Sequence, residues 1–467
     1  MATDVRSEPA RGWLRPIDAA SLAVFRIGFG ALLLLSTLRY FAHGWIAEYF
    51  LLPTHFFKYW GFGWVKPWPG AGMYVHFGLM AASALGVLLG YRYRLSMALY
   101  GLLFAYQHLI DKTNYLNHYY LVACVCLLMA CLPLGSCWSL DAWREPEQRR
   151  AVLPAWMLWT LRAQFGLVYV FGGLAKLNHD WLIDAQPLAI WLGRQQDLPG
   201  IGPWLAQPWA AHGMSWAGAL FDLSIVPLLL VRRTRPFAYL LVALFHLTTA
   251  RLFSIGIFPY FMLCGSLLFL SPGWPRPLLR RLRLLGAEAV SAASNPPAPP
   301  PTRLALVALG AYFAVQVMMP LRHFAYPGNQ LWTEQGFRFS WNVMLMEKDG
   351  SVDFRVVEPA SGRTFHVSPS DYFTPYQTAM MSPQPDMVLE AAQIVAADFR
   401  ARGVREPAVY VDAFASLNGR PLQRLIDPRV DLAARGDGLA NKTWILPLRA
   451  GRAGAPAQLA ELTENFE

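Results

Sequence analysis

Apolar stretches recur through the first two thirds of the chain, and their pattern predicts a bundle of membrane-spanning helices. Each stretch approaches the roughly 20 residues that a helix needs to cross a bilayer. The nine stretches run from Ala20 to Tyr40, Gly72 to Gly90, Leu95 to Ile110, His118 to Leu134, Leu153 to Leu174, Met214 to Val231, Pro236 to Leu252, Ile255 to Leu270 and Leu304 to Leu321. The predicted fold class is an all-α polytopic membrane bundle of about nine helices, followed by a C-terminal domain. We expect the first stretch to be a retained helix, because it contains Arg26 and lacks a small-residue cleavage site.

Arginine is concentrated in alternate loops between the apolar stretches. These loops contain Arg92 and Arg94; Arg144, Arg149 and Arg150; Arg232, Arg233 and Arg235; and Arg276, Arg280, Arg281 and Arg283. Because loops rich in Lys and Arg stay in the cytoplasm, we expect a cytoplasmic N-terminus and a C-terminal domain on the outer side. That side is the periplasm for a bacterial inner membrane, or the lumen of the endoplasmic reticulum in a eukaryote. Residues 284–302, which include an Ala- and Pro-rich run, are predicted to be a flexible cytoplasmic linker within a transmembrane domain of residues 1–321.

Residues 322–467 have the pattern of a β-rich α+β domain. Asp349-Gly350 and Asn418-Gly419 are each predicted to be the turn of a β-hairpin. The flanking strands are Val343–Leu345 and Val352–Val357 for the first, and Val409–Ala415 and Leu422–Ile426 for the second. Met387 to Ala401 has the spacing of an amphipathic helix. We expect this extracytoplasmic domain to dock on the outer face of the bundle.

Composition supports a membrane protein and excludes several other classes. The chain is 55% hydrophobic and only 15% charged, which excludes disorder, a coiled coil and an ordinary soluble enzyme. The net charge of +10 comes from the arginine-rich loops, so no nucleic-acid partner is predicted. The cysteines of Cys124-x-Cys126-x4-Cys131 lie within an apolar stretch and are interpreted as packing residues. No spacing typical of a metal, nucleotide or serine-hydrolase site is present, and we predict no metal.

Tryptophans are frequent in the outer loop from Phe41 to Pro69, which contains Trp45, Trp60, Trp64 and Trp68. Indole rings favour the boundary between lipid and water. We interpret this loop as an interfacial helix or a cap over the bundle.

Ionisable residues inside apolar stretches are costly, so each needs a partner or a function. The candidates are Arg26, His108, His118, Arg162, Lys176, Asp222 and His246. One interpretation is that they form buried ion pairs, for example Arg162 with Asp222. Another interpretation for Lys176 is that it lies at a helix end and extends its amine to the polar interface.

The predicted topology favours a shared site at the outer interface. Asn117 and His118 begin the fourth helix there, Lys176 ends the fifth, and His246 lies in the outward half of the seventh. The turn at residues 253–256 lies at the same depth. The chain has six Lys against 34 Arg, and lysine suits a role in which the amine loses its proton, which arginine does not do. The predicted site is therefore one where a lipid-soluble substrate meets a polar one.

These same segments resemble the vitamin K-dependent γ-glutamyl carboxylase family, whose membrane part is the HTTM domain. The resemblance covers about four hundred residues and is carried by ordered motifs. The matching segments are SLAVFR at 21–26, DKTNYLNH at 111–118, LVYVFGGLAKL at 167–177, Asp180-Trp181, Phe245-His246, LFSIGIFPY at 252–260, Trp332-Thr333, Phe339-Ser340-Trp341 and DPRVD at 427–431.

The resemblance implies a reaction and a role for each matching residue. The lysine at position 176 would deprotonate reduced vitamin K, a menaquinol or phylloquinol, which O2 converts to the epoxide. The strong base formed on the way would remove the γ-proton of a glutamate, and the carbanion would add CO2. Asn117 would hold the quinol oxygen and His118 would assist carboxylation. The quinone pocket would be lined by Tyr169, His246, Phe253 and Ser254, and the glutamate by Trp332, Arg338, Ser340 and Trp341.

Two departures from the family pattern leave alternatives open. Residues 334–338 read EQGFR where animal members have NGLYG, and Ala175 replaces a second lysine. The low lysine content favours a bacterial origin, with menaquinol from the membrane quinone pool as the reductant. A glutamate-containing peptide or protein is the expected partner. The alternatives are a quinol epoxidase acting on a non-glutamate substrate and a non-catalytic quinone- or lipid-binding membrane protein.

Overall fold

The computed structural model of the chain describes residues 12–253, 255–282, 300–449 and 451. Within these residues nine of the longer helices form a bundle: α1 (Ala20–Ala42), α2 (Gly72–Leu89), α3 (Tyr93–Ile110), α4 (Asn117–Cys131), α5 (Ala155–Ala175), α6 (Pro208–Leu230), α7 (Arg235–Leu252), α8 (Phe258–Ser266) and α9 (Arg303–Leu321). Two short strands, β1 (Pro16–Asp18) and β2 (Val152–Pro154), pair antiparallel where α1 and α5 begin. The predicted linker at 284–302 lies almost entirely outside the described residues.

Single helical turns and short helices fill the connections of the described chain. They are Gly12–Leu14, Trp45–Phe50, Lys112–Asn114, Leu134–Ser136, Leu140–Arg144, Pro146–Gln148, His179–Leu182, Leu188–Gly193, Gly202–Leu205, Leu267–Phe269, Pro275–Arg281, Arg322–Ala325, Gln330–Thr333 and Pro369–Asp371. Several of them lie in the loop between α5 and α6, which covers one end of the bundle.

Four helices in the described part of the chain are long and apolar enough to cross a membrane. They are Ala20–Ala42, Gly72–Leu89, Pro208–Leu230 and Arg303–Ala325. Asn117–Cys131 and Phe258–Phe269 are apolar but shorter. The chain is thus a helical membrane protein, whereas the full set of nine crossings stays a prediction.

The bundle has the surface expected of a protein in lipid. Leu102, Leu240 and Leu304 are 71%, 64% and 78% exposed, although leucine is normally buried in a water-soluble protein. Small residues allow close helix packing on the inside: a Cβ at Gly30 of α1 would lie 2.6 Å from the backbone nitrogen of Leu88 in α2. The apolar exterior and tight interior both favour insertion in a bilayer.

The C-terminal domain contains a four-stranded antiparallel sheet. Its strands are β3 (Lys348–Val357), β4 (Thr364–Val367), β5 (Ala408–Leu417) and β6 (Gln423–Arg424), in the order β4-β3-β5-β6. Helix α10 (Pro375–Met381) and the amphipathic helix α11 (Pro385–Ala401) pack on it, and the second of these confirms the predicted helix. The α+β character of the domain is therefore as predicted.

One predicted hairpin is confirmed and the other is wrong. Asn418 and Gly419 have positive φ and connect β5 to β6 as expected. Asp349-Gly350, in contrast, lies inside β3, which pairs with β5 along its whole length. A Cβ at Gly350 would lie 2.9 Å from the carbonyl oxygen of Phe414, so the glycine allows close backbone contact within the sheet rather than a turn. The preceding segment, Val343–Leu345, is a loop.

Buried polar contacts hold this domain against the bundle. Arg420, in the turn after β5, makes a bidentate ion pair with Asp180, with N–O distances of 2.6 and 2.7 Å. Lys112, between α3 and α4, contacts Asp386 and Glu390 of α11 at 3.2 and 3.0 Å. The outer loop adds apolar packing through Phe57, as expected of a cap, while Trp60 and Trp64 remain exposed.

Candidate active site

Lys176 lies at the end of α5 and is buried in an apolar cavity. Its Nζ is 2.7 Å from Oδ2 of Asp222 in α6 and 3.3 Å from the carbonyl oxygen of Gly172. Asn178 then caps the short helix His179–Leu182 and turns the chain back, which brings the ring of Trp181 to 5.2 Å from the lysine amine. The amine is therefore enclosed by one carboxylate and one aromatic face instead of extending to the interface.

One face of α5 forms a wall of this cavity. Tyr169, Gly172 and Lys176 are spaced by three and four residues, which places them on the same side of a helix. The hydroxyl of Tyr169 is 2.8 Å from Nε2 of His246 in α7, and both side chains are buried. Gly172 lies beside the Lys176–Asp222 pair, where a Cβ would be in ordinary contact, 3.6 Å from the Asp222 carboxylate and 3.9 Å from the Lys176 amine.

The cavity lining is largely apolar and combines residues of α5, α6, α7 and α8 with residues of the loops between them and of the segment before β3. The lining residues are Val168, Tyr169, Gly172, Lys176, Trp181, Leu188, Met214, Gly218, Asp222, Phe245, His246, Thr249, Phe253, Ile255, Phe258, Met262, Val343 and Met344. The structure thus brings together four of the residues predicted from sequence: Tyr169, Lys176, His246 and Phe253. Ser254 lies outside the described residues.

The expected pairing of Arg162 with Asp222 is wrong. Arg162 donates to the carbonyl oxygens of Leu268 and Leu270 at 2.8 and 3.1 Å. Arg162 and Lys176 are 14 residues apart on one helix, about 21 Å at a rise of about 1.5 Å per residue. Asp222 cannot contact both, and it contacts the lysine.

Asn117 and His118 line a second cavity beside the first. This cavity is wider and more polar, and Arg39, Tyr40, Asn114 and Tyr376 also contribute to it. Four side chains are shared by both cavities and form the wall between them: Ile255, Phe258, Val343 and Met344. The ring of His118 packs at 5.5 Å from that of Phe258, so His118 and Lys176 lie on opposite sides of a thin partition.

Asn117 holds the loop that forms part of this partition. Its amide nitrogen donates to the carbonyl oxygen of Asn342 at 2.9 Å, and its amide oxygen accepts from the Tyr115 hydroxyl at 2.9 Å. The backbone N–H of Phe339 in turn donates to the Tyr115 oxygen at 2.6 Å. Asn117 thereby couples α4 to the segment 339–344, which we call the partition loop.

The four residues expected to bind glutamate have different environments. Trp332 is fully buried in the core of the C-terminal domain and donates to the carbonyl oxygen of Leu446 at 2.8 Å. Trp341 is buried among the membrane helices, where it stacks on Tyr120. Ser340 is buried and donates to the carbonyl oxygen of Gly336 at 2.6 Å. None of these three side chains lines either cavity.

Arg338 faces a third cleft, between the outer loop and the C-terminal domain. Its guanidinium is 2.6 Å from a carboxylate oxygen of Asp386. Burial opposes ionisation of Asp386, but the charges of Arg338 and Lys112 outweigh it and hold the pKa of that carboxyl well below its usual range. Glu334, four residues before Arg338, forms an ion pair with Lys348 at 2.8 Å. The Arg338 charge is therefore already compensated by a protein carboxylate.

Sequence reasoning missed three features of the site. Asp222 was recognised as an intramembrane charge but assigned the wrong partner, because periodicity along one helix does not show which side chains of two helices meet. Trp181 follows the lysine closely enough to be a candidate, yet only the turn at Asn178 brings it back. The wall formed by Phe258 and Met344 has no signal in the sequence, since it depends on the path of a loop.

The fold is that of a helical membrane protein whose bundle encloses an apolar cavity with a few polar side chains. The family model described as "HTTM domain" matches residues 14–274. A second, "Vitamin K-dependent gamma-carboxylase, lumenal domain", matches residues 301–451. The chain belongs to the vitamin K-dependent gamma-carboxylase family, which confirms the resemblance of its motifs. No solved structure matches it.

Proposed function

We propose that this protein is a gamma-carboxylase-like membrane enzyme in which Lys176 accepts a proton from a reduced naphthoquinone. The observation that carries the proposal is the Lys176–Asp222 pair, at 2.7 Å, inside a largely apolar cavity. An apolar cavity suits a naphthoquinone ring, and its few polar groups can orient the ring hydroxyls.

In the proposed reaction Lys176 acts as the neutral amine, and its position beside Asp222 then suits a proton acceptor. An amine beside a carboxylate has a net negative charge, which is costly in an apolar cavity. Accepting a proton on Nζ of Lys176 converts that charge into a neutral pair with Asp222, so the surroundings favour the transfer. Tyr169 and His246 are one hydrogen-bonded unit that is placed to orient the other end of the ring.

The two cavities suit two different substrates. Lys176 lies on the apolar side, which a lipid-soluble quinol would enter, and His118 lies on the wider, more polar side, which a glutamyl side chain would enter. When bound, the quinol supplies, with O2, the base strong enough to remove a γ-proton, and CO2 completes carboxylation. The partition limits access of water from one cavity to the other, which protects a strongly basic species.

A quinol epoxidase acting on another substrate is the second candidate. The observation that favours it is the pairing of Arg338 with Asp386, which leaves the expected glutamate-binding cation engaged by a protein carboxylate. The first candidate requires glutamate to bind elsewhere, and the Asn117–His118 cavity is the place we propose.

Both candidates can be tested on the purified protein. Incubation with reduced vitamin K, O2, CO2 and a short glutamyl peptide should yield the epoxide and a peptide heavier by one CO2. Lys176→Ala should abolish epoxide formation, and Lys66→Ala, which removes an exposed lysine, is its matched control and should behave like the parent protein. Epoxide without modified peptide would favour the second candidate. Absence of both products from the parent protein would contradict the two candidates together.

A further inference from the structure

Four arginines surround a cavity at the end of α5 opposite Lys176. Arg15 comes from the segment before α1, Arg162 from α5, Arg232 from the connection between α6 and α7, and Arg235 from the first residue of α7. The cavity has a volume of about 380 Å³. Arg162 is about 21 Å from Lys176 along the helix, at a rise of about 1.5 Å per residue, so this cavity is separate from the proposed active site.

The positive charge of this cavity is not balanced by the protein part that the structure describes. No carboxylate is among its lining residues. Arg162 and Arg235 direct guanidinium N–H groups to main-chain carbonyl oxygens at 2.8 to 3.1 Å, which satisfies hydrogen bonds without neutralising charge. Like charges crowded at a membrane boundary repel one another, and an anion would relieve that cost.

The chemistry of the lining favours a phosphate group. Guanidinium groups present planar pairs of N–H donors that match phosphate oxygens, and arginine is the preferred residue for that contact. The remaining lining is largely apolar and includes Ile17, Leu158 and the exposed ring of Trp159, with Ser271 as the polar exception. An indole and aliphatic side chains beside a basic cavity suit a ligand whose anionic head continues into an apolar part.

We propose that this arginine cavity binds a net-negative phosphate group, as carried by an anionic phospholipid headgroup at the membrane surface. Arg162 provides the floor, held rigidly by its carbonyl contacts and by packing 4.9 Å from the Trp159 ring. Arg15 and Arg232 are exposed and form the rim. The four come from three separate parts of the chain, so a bound phosphate would tie those parts together.

The test is native mass spectrometry of the full-length protein with added lipids. The parent protein should retain phosphatidylglycerol about tenfold more strongly than phosphatidylcholine with the same acyl chains, and Arg15→Gln/Arg232→Gln should lose the preference. Arg233→Gln/Arg280→Gln is the matched control, because it removes two exposed arginines that do not line the cavity. It should behave like the parent protein.

A second experiment measures the binding of inorganic phosphate alone to the same proteins. One outcome is that phosphate binds the parent protein but not the Arg15→Gln/Arg232→Gln variant, while neither lipid is preferred. That outcome would identify a soluble phosphate as the ligand. Equal retention of both lipids together with no phosphate binding would overturn the proposal. Equal loss in the two double variants would also overturn it, since general surface charge would then explain the retention. Neither readout depends on catalysis, so failure here leaves the proposed function untouched.

Discussion

Lys176 and Asp222 are the residues on which the proposed chemistry depends. Both are buried, and each is the other's only oppositely charged partner among the described residues. Removing one partner leaves a charge in an apolar cavity, which is strongly unfavourable. A comparison of variants at this pair must therefore separate loss of chemistry from loss of folding.

Lys176→Arg makes that separation. Arginine keeps the positive charge beside Asp222 but does not give up its proton. We expect epoxide formation to fall by at least about a hundredfold, the usual scale of general-base catalysis, while the midpoint of thermal unfolding changes little. Product analysis by liquid chromatography and a melting curve provide the two measurements. Normal turnover in the Arg variant would show that position 176 needs only a charge.

His118→Ala tests the division between the two cavities. His118 is on the polar side of the partition, so its removal should reduce carboxylation of a glutamyl peptide more than epoxide formation. Both products are measured in the same reaction, and the ratio of epoxide to modified peptide should rise. Equal loss of the two products would refute separate roles for the cavities. His212→Ala, at an exposed histidine outside both cavities, should leave the ratio unchanged.

At the scale of elements, the partition loop connects the two domains. Residues 339–344 leave the C-terminal domain, enter the membrane bundle and return to β3. Their path includes three residues with positive φ, Phe339, Trp341 and Met344, which are unfavourable for side chains with a Cβ. Contacts with α4 compensate for this strain, so the loop and the start of α4 act as one unit.

Tyr115→Phe should loosen that unit without creating a cavity. The hydroxyl accepts from the Phe339 backbone N–H and donates to Asn117, and its loss should lower the free energy of unfolding by about 1–2 kcal/mol. Carboxylation should fall as the partition becomes mobile. Thermal unfolding and product assays measure the two effects. Tyr260→Phe, at an exposed tyrosine, is the control and should match the parent protein.

At the scale of the whole molecule, charged contacts determine how the C-terminal domain sits on the bundle. Asp386 joins Arg338 of its own domain to Lys112 of the membrane part, and Glu390 shares Lys112. Because the pKa of Asp386 is lower when folded than when unfolded, its stabilisation is complete above the unfolded value of about 4 and is lost as pH falls below it.

Asp386→Asn should therefore destabilise the protein at neutral pH and change its acid response. We expect a loss of about 2 kcal/mol near pH 7, because two cations lose a shared carboxylate. The difference from the parent protein should shrink as pH falls below about 4. Thermal unfolding between neutral and acidic pH measures both. Asp353→Asn, at an exposed aspartate, should follow the parent curve. A constant difference across the pH range would contradict the assignment.

Orientation in the membrane is also a whole-molecule property. We expect a single cysteine at Arg149 to react only from the cytoplasmic side, and one at Asp353 only from the outer side, because the arginine-rich loops are predicted to stay inside. Asp353 is suitable because it is exposed on β3. The background should lack Cys131, the exposed cysteine among the five. Labelling of both positions from one side would remove the basis for the predicted topology.

Much of this organisation follows from local sequence. Apolar stretches predict helices because every backbone polar group must be satisfied within the membrane. The Asn418-Gly419 turn is also local, since both residues tolerate positive φ. Lys176 and His246 could be selected as candidate site residues because ionisable residues in lipid need a partner or a function, and because their surrounding motifs resemble a family.

The partners of those residues depend on tertiary structure. Asp222 pairs with Lys176 rather than Arg162 because helix packing places the first two at the same depth, and one helix sequence contains no information about its neighbour's register. Asp349-Gly350 has the composition of a turn, yet pairing with β5 keeps it extended. The partition between the two cavities arises where a loop from one domain meets α8 from the other, and such a contact between distant segments exists only in the folded molecule.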